Sequence, residues 1–170
     1  MSTRHPGAVL IGAVVLFVVG LLYGFKLLTA DADTGAEGPS CDTRTVAAGD
    51  DLTSNLVAVD VYNASQRAGL ANRVSINLQR RGFLAGTVAN STSKVQPKVA
   101  AILTSDRRDP RVQLVAQQLG PKVQFAEPDI ATSDNVVVVV GDDYKGLAKA
   151  PTKLRAASAV TVCVPIVKIP

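Results

Sequence analysis

The stretch that most constrains the fold is residues 56–83, because its hydrophobic period changes once along its length. Its first part alternates apolar and polar residues, which is typical of a β-strand with one buried side. Its second part has apolar residues every three to four positions, which is typical of one face of a helix. The apolar positions are Val57, Val59 and Val61 in the strand, and Leu70, Val74 and Leu78 in the helix.

Turn-forming residues separate these two parts, and a glycine ends the second. Asn63 and Ser65 have side chains that hydrogen-bond to nearby backbone, so they predict a turn. The helical period begins at about Arg67. Gly82 follows the helix as a left-handed cap, and Phe83 starts the next strand. The whole stretch therefore predicts a strand, a turn, a helix and a second strand.

A second strand–helix–strand unit is predicted between residues 99 and 125. Its helix starts at Asp109 and Pro110, an N-cap acceptor followed by proline at the first helical position. Five consecutive valines at 136–140 then predict a strand that is buried on both faces. Together these segments predict an α/β fold, a mixed β-sheet built from two β-α-β-like units with helices packed on it.

An uncharged apolar run near the N-terminus predicts one transmembrane helix before this fold. At about 1.5 Å per residue, residues 7–25 span about 28 Å, enough to cross a bilayer. Arg4 before the run favours a cytoplasmic N-terminus in the cell membrane. Cleavage near Ala32, which would give a secreted protein, is the alternative. The predicted parts are a cytoplasmic stub (1–6), a transmembrane anchor (7–28), an extracytoplasmic tether (29–52) and an ectodomain (53–170).

The chain has two cysteines, Cys41 before the predicted domain and Cys163 in a final strand predicted at 160–167. Outside the cell, two cysteines predict one disulfide. It would close a long loop and stabilise the fold by about 4–5 kcal/mol in the chain-entropy model. The alternative is two unrelated buried thiols.

Charge and aromatic content argue against a nucleic-acid partner. Two of the 18 basic residues, Arg4 and Lys26, flank the apolar run, so the rest of the chain is nearly balanced by its 14 acidic residues. Aromatic residues make up 4% of the sequence and tryptophan is absent. Nucleic-acid surfaces usually combine a concentrated basic field with aromatic platforms for base stacking.

Few residue patterns that carry enzyme chemistry are present. The single histidine, His5, lies in the predicted stub, and no cysteine pair has metal-ligand spacing. We therefore expect no catalytic residue, metal or cofactor. Asp142 and Asp143 are adjacent, so their side chains diverge in an extended segment, and a turn role is expected for them. An enzyme would need a pocket that gathers these two carboxylates with an arginine.

Two motifs carry a resemblance to a known family. The first is V-x-V-Y-N-A-S-x-R-x-G-L-A, which starts at Val59 and ends at Ala71, and Arg-Gly-Phe at 81–83 continues it. The second is Gly-Asp-Asp-Tyr at 141–144, after the valine strand. Both are similar to the LytR C-terminal domain family. The chain resembles its stand-alone, single-pass actinobacterial members, which are implicated in cell-envelope integrity. Residues 145–170 follow no pattern of that family.

The candidate residues fall into two sets. Residues expected to shape the motifs are Asn63, Ser65, Gly69, Leu70, Gly82, Phe83 and Gly141. Residues expected to bind a partner are Asn63, Arg67, Arg107, Arg108, Arg111, Asp142 and Asp143. For Arg67 the alternatives are a solvated side chain, an ion pair with Asp60, or a contact with a carboxylate or phosphate. The other three arginines form either a solvated face or a patch for anionic polymers or lipids.

The resemblance and the anchor imply a non-catalytic, extracytoplasmic module. We expect it to support envelope integrity by binding a cell-envelope protein, such as a glycopolymer ligase, or a cell-wall polymer. The sequence is compatible with either a monomer or a homo-oligomer. One alternative is a carrier that holds an apolar envelope lipid in a groove of the ectodomain. A less favoured alternative is an enzyme that acts on lipid-linked wall precursors.

Overall fold

A computed structural model describes residues 16–24, 41–131 and 133–165, and only the backbone of Cys41 and Pro165. The chain divides into two compact units, 1–40 and 41–170. In the first, residues 16–24 form a helix with exposed side chains. Within the described residues, no helix is both long and apolar enough to cross a membrane. The remainder of the predicted anchor at 7–28, the cleavage position at Ala32 and the first part of the tether lie outside the described residues.

The second unit is built on a five-stranded mixed sheet, which confirms the mixed α/β class. Its strands are β3 (Ala58–Asn63), β4 (Leu84–Asn90), β5 (Ala100–Leu103), β6 (Val123–Ala126) and β7 (Val136–Val140). Their order across the sheet is β4-β3-β7-β5-β6. Helix α1 (Leu70–Gln79) connects parallel neighbours β3 and β4, and α2 (Pro110–Leu119) connects parallel neighbours β5 and β6. β7 lies between the two β-α-β units, parallel to β3 and antiparallel to β5.

Two small antiparallel ladders complete the second unit. β1 (Cys41–Val46) pairs with β9 (Val160–Pro165), and β2 (Asp51–Thr53) pairs with β8 (Lys153–Arg155). The compact unit thus begins at Cys41, whereas the predicted tether runs to residue 52. The difference has a physical reason: β1 is mostly polar, and its pairing partner lies more than 100 residues away, so no local pattern reveals it.

The main core lies on the face of the sheet that carries both helices. All five valines of β7 are buried, as predicted for a strand covered on both faces. The opposite face has a smaller cluster, in which Leu103 and two of these valines pack with Val95 and Ile130 from loops. The Lys94 amide donates to Asp129 at 2.7 Å and links these two loops. Hydrogen bonds from Ser93 and this amide hold the pKa of the Asp129 carboxyl below its ordinary value.

Candidate functional site

The two sequence motifs meet at one edge of the sheet. β3 and β7 are parallel neighbours, so their carboxyl ends lie side by side. The first motif continues from β3 as residues 63–69, and the second continues from β7 as residues 141–144. We call these two segments the motif junction. Strand ends of this kind are where α/β sheets commonly place functional groups.

Asn63 organises the turn after β3. Its Oδ1 accepts hydrogen bonds from the Ser65 amide at 3.1 Å and the Ser65 hydroxyl at 2.7 Å, while its Nδ2 donates to the Arg67 carbonyl at 3.0 Å. Ser65 Oγ in turn accepts from the Arg67 amide at 3.1 Å. α1 begins only at Leu70, after Gly69 in the left-handed region with φ 70°. The predicted helix start at Arg67 is therefore wrong, because the turn side chains bind the backbone up to that residue.

Gly141 lets the second motif pass close to a neighbouring loop. A Cβ atom at this position would overlap the Pro97 carbonyl oxygen and lie 2.7 Å from the Lys98 carbonyl oxygen. The Gly141 amide donates to the Val99 carbonyl at 2.9 Å, and the Asp143 amide donates to the Lys98 carbonyl at 2.8 Å. Only a glycine leaves room for this approach, so its role is close packing of backbone on backbone.

Backbone and side-chain hydrogen bonds join the two segments of the junction. The Gln66 amide donates to Asp142 Oδ1 at 2.9 Å. Arg67 Nη1 donates to the Tyr144 carbonyl at 2.7 Å and to the Asp142 carbonyl at 3.2 Å. These partners are more than 70 residues apart in sequence. Arg67 is exposed at the surface, but one of its terminal nitrogens is committed to holding the second motif in place.

The carboxylates of the junction face different partners. Asp142 accepts from the Gln66 amide, whereas Asp143 lines a groove with Lys122 and Lys145. Both acids are exposed. An enzyme would need a pocket that gathers the two carboxylates with an arginine. The junction does not bring Asp142, Asp143 and Arg67 together in one pocket.

The ion pair with Asp60, one of the three alternatives for Arg67, is not formed. Asp60 is 1% exposed, and its carboxylate accepts from the Thr87 amide at 2.6 Å, Ser133 Oγ at 2.7 Å and Asn135 Nδ2 at 2.9 Å. Its position coincides with a register shift between β3 and β4. Asp60 thus satisfies a backbone amide that the irregular pairing leaves without a ladder partner.

Arg107, Arg108 and Arg111 lie at the opposite end of the sheet from the junction, because β5 runs antiparallel to β7. Arg111 Nη2 pairs with Asp109 Oδ2 at 2.7 Å, and Nη1 donates to the Asp134 carbonyl at 3.1 Å. The hydrogen bond with Asp109 raises the pKa of Arg111, against the effect of burial. The guanidinium carbon of Arg107 lies 5.5 Å from the centre of the Phe125 ring. The structure therefore separates these arginines from Arg67.

The remaining motif residues shape the end of α1. The Gly82 amide donates to the Gln79 carbonyl at 2.8 Å, and the Phe83 amide donates to the Leu78 carbonyl at 3.2 Å. Gly82 has φ 89°, which is the left-handed conformation predicted for it. Leu70 and Phe83 are buried in the main core.

Sequence reasoning missed a polar cluster beneath the segment that follows the second motif. Gln118 is fully buried, and Arg81 Nη1 donates to its Oε1 at 2.6 Å and to the Ala148 carbonyl. Tyr144 is 4% exposed, and its hydroxyl has no hydrogen-bond partner within the described residues. Burial raises the pKa of Tyr144 to about 12, although the positive charge of Arg81 acts in the opposite direction. A glutamine on the apolar side of a helix was the only sequence signal for this cluster.

The folded unit is a mixed α/β domain in which two sequence motifs form one hydrogen-bonded junction at the strand ends. The described residues contain no group of three or more potential metal ligands. The sequence matches the model of the LytR cell envelope-related transcriptional attenuator family over residues 56–144, just over half of the chain. The chain belongs to this family, which confirms the resemblance that its motifs predict.

Among solved structures, the chain is similar to the soluble domain of a conserved hypothetical secreted protein from Mycobacterium marinum. The two are 25% identical, with a TM-score of 0.46, and the match covers 58% of this chain and 67% of that one. No curated protein matches the chain significantly.

Proposed function

We propose that this protein is a non-catalytic module of the cell envelope, which supports envelope integrity by binding a partner protein or a cell-wall polymer. The observation that carries the proposal is the arrangement of the motif junction. Its polar groups bind each other and the backbone, and they fix the shape of an exposed surface. A surface held in this way suits recognition, because little ordering entropy remains to be lost on binding.

Gln66, Arg67 and Asp142 are the residues that we assign to the binding surface. All three are exposed, and their hydrogen bonds connect the two motifs. Within the described residues, Arg67 Nε and Nη2 make no hydrogen bond, so they can donate to a carboxylate or phosphate of the partner. A glycopolymer ligase or a wall polymer would supply such groups.

The proposed location is outside the cytoplasm, next to the membrane. The support is the family membership and the uncharged run at 7–25, which is long enough to span a bilayer. In this arrangement the anchor at 7–28 holds the folded unit at the outer surface. Limited proteolysis of sealed spheroplasts tests it: we expect residues 41–170 to be digested, and their protection would contradict the proposed side of the membrane.

A disulfide between Cys41 and Cys163 is part of the same proposal. β1 and β9 pair so that Thr43 lies opposite Cys163 and Cys41 lies opposite Pro165. The two cysteines are thus diagonal neighbours on adjacent strands, and the described residues include no free cysteine. Alkylation of the unreduced, denatured protein with a maleimide should label no thiol. Labelling of two thiols per chain would overturn the pairing.

The binding surface is tested by site-specific photocrosslinking in intact membranes. A photoreactive residue replaces Gln66 at the junction or, as the matched control, Arg155 on β8, which is also exposed. We expect a reproducible crosslinked product from Gln66 and not from Arg155. Identical products from both positions, or no product from Gln66, would count against the junction as the binding surface.

The cellular role is tested by removing the folded unit while keeping residues 1–40. Envelope permeability should then rise, and the full chain should restore it. Unchanged permeability would contradict a role in envelope integrity. Arg67→Ala in the full chain should reproduce part of the effect if partner binding is the cause.

A further inference from the structure

An open groove runs beside the carboxyl end of α2. Its volume is about 490 Å³, which lies within the range of ligand pockets. One wall is the end of α2 with the loop after it, and the other wall is formed by residues 145–148, the first part of the segment 145–151, which we call the strap. The apolar side chains along it are Val99, Leu119 and Leu147.

The strap is held firmly in the fold. The Ala148 amide donates to the Gln118 carbonyl at 2.7 Å, and Gln118 Nε2 donates to the Pro151 carbonyl at 2.7 Å. Arg81 Nη1 also donates to the Ala148 carbonyl. Because Gln118 is fully buried, these bonds are shielded from water and the groove has a fixed wall.

Lysines lie along the rim of the groove. Lys122 and Lys145 line it together with one acid, Asp143. Lys149 lines a continuation of about 540 Å³, which shares Gly120, Pro121 and Ala148 with the first groove. None of the three lysines lies within salt-bridge distance of a carboxylate in the part of the chain that the structure describes. The groove therefore combines an apolar floor with positive charge at its rim.

We infer that this groove binds a lipid phosphate, a molecule with a hydrocarbon chain and a phosphate group. The hydrocarbon chain of the lipid would lie along Leu119 and Leu147, and its phosphate would lie between the ammonium groups of Lys122 and Lys145. Inorganic phosphate would not cover the apolar floor, and a neutral lipid would gain no attraction from the two ammonium groups. Asp143 is the one lining residue that the groove shares with the motif junction, and Gln66, Arg67 and Asp142, which we assign to partner binding, do not line it. The inference therefore does not depend on the proposed partner binding.

The test uses the full chain in nanodiscs of neutral lipid. Dihexanoyl phosphatidate is titrated by calorimetry. Dihexanoylglycerol, which has the hydrocarbon chains but no phosphate, and inorganic phosphate, which has no hydrocarbon chain, are titrated separately. We expect saturable binding of the phosphatidate and at least tenfold weaker binding of either part. Equal affinity for phosphatidate and dihexanoylglycerol, or for phosphatidate and inorganic phosphate, would overturn the inference.

Variants assign the binding to the groove. Lys122→Gln together with Lys145→Gln should weaken phosphatidate binding about tenfold, since each lysine near an anionic headgroup contributes modestly. Leu147→Asp should weaken it further, because it places a carboxylate in the apolar wall. Lys153→Gln is the matched control, since Lys153 pairs with Asp51 on the β2–β8 ladder. The inference fails if the control weakens binding as much as the double variant, or if an acidic peptide binds the groove and displaces the phosphatidate.

Discussion

The two β-α-β units of this domain have the same plan but are stabilised in different ways. The start of helix α2 is stabilised by residues adjacent in sequence. Asp109 accepts a hydrogen bond from the Arg111 amide at 2.8 Å, and Pro110 occupies the first turn. Helix α1 begins after Gly69, with no side-chain cap. The turn before it is held by the side chains of Asn63 and Ser65 and also by Asp142 and the Tyr144 carbonyl, from the other motif.

The difference shows that the family motifs are two halves of one structural element. A unit like the second can form its helix start from local sequence alone. The first unit needs β7 and the segment after it before its turn is complete. Changes at the junction should therefore affect the whole fold, whereas changes at the start of α2 should be local.

The largest expected effect comes from Gly141→Ala. The new methyl group would overlap backbone of the loop at 97–98, so the second motif could not dock, and we expect a loss of about 3–5 kcal/mol in unfolding free energy. Gly69→Ala is the matched control, because its Cβ would enter open space and the cost is only that of a left-handed alanine, about 1 kcal/mol. Urea denaturation measures both. Equal losses for the two variants would contradict the close-packing role.

Alkaline pH should reveal the burial of Tyr144. Its pKa is about 12 in the fold against an ordinary value of 10.0, so the unfolded chain loses the proton first. The stability that Tyr144 contributes is complete below pH 10 and falls by about 2–3 kcal/mol as pH rises to 12. Tyr144→Phe should remove this dependence and, since the hydroxyl lacks a partner within the described residues, change stability at pH 7 by less than about 1 kcal/mol. An unchanged alkaline profile in the variant would refute the assignment.

Arg67→Ala should cost about 1–2 kcal/mol, because it removes the hydrogen bonds to the Tyr144 and Asp142 carbonyls. A double-mutant cycle with Asp142→Ala, measured by urea denaturation, should give a coupling energy of about 0.5 kcal/mol or more. Additive losses would mean that the two halves of the junction do not support each other.

The smallest expected effect is that of Asp109→Ala, about 1 kcal/mol, from loss of the helix cap. The variant should show no coupling with Asp142→Ala, since α2 starts at the opposite end of the sheet. Coupling as strong as that of Arg67 would remove the distinction between the two units.

The same distinction explains how much of the fold the sequence predicts. The start of α2 and the valine strand are confirmed because they depend on local chemistry, a capped helix and a continuous apolar run. The start of α1 was missed because the side chains of Asn63 and Ser65 hold the backbone in a turn up to Arg67, and Asp142, more than 70 residues away, binds the same turn. The strand β1 was missed because its pairing partner is distant in sequence.

For the candidate residues, the motifs predict Arg67 and Asp142 as neighbours of a turn, but not that they connect two motifs. The burial of Asp60 follows from a register shift, which no sequence period encodes. The burial of Gln118 and the shape of the groove beside it depend on the path of the strap. That path could not be predicted, because the sequence of the strap has no recognisable pattern.

The pairing of β1 with β9 places residue 41 directly opposite residue 165. The first and last described residues of the folded unit thus lie side by side, a property of domains that tolerate circular permutation or insertion into other chains. A circular permutant with a short glycine–serine bridge across these two positions, and new termini in the exposed loop at residues 105–108, should therefore retain the native topology.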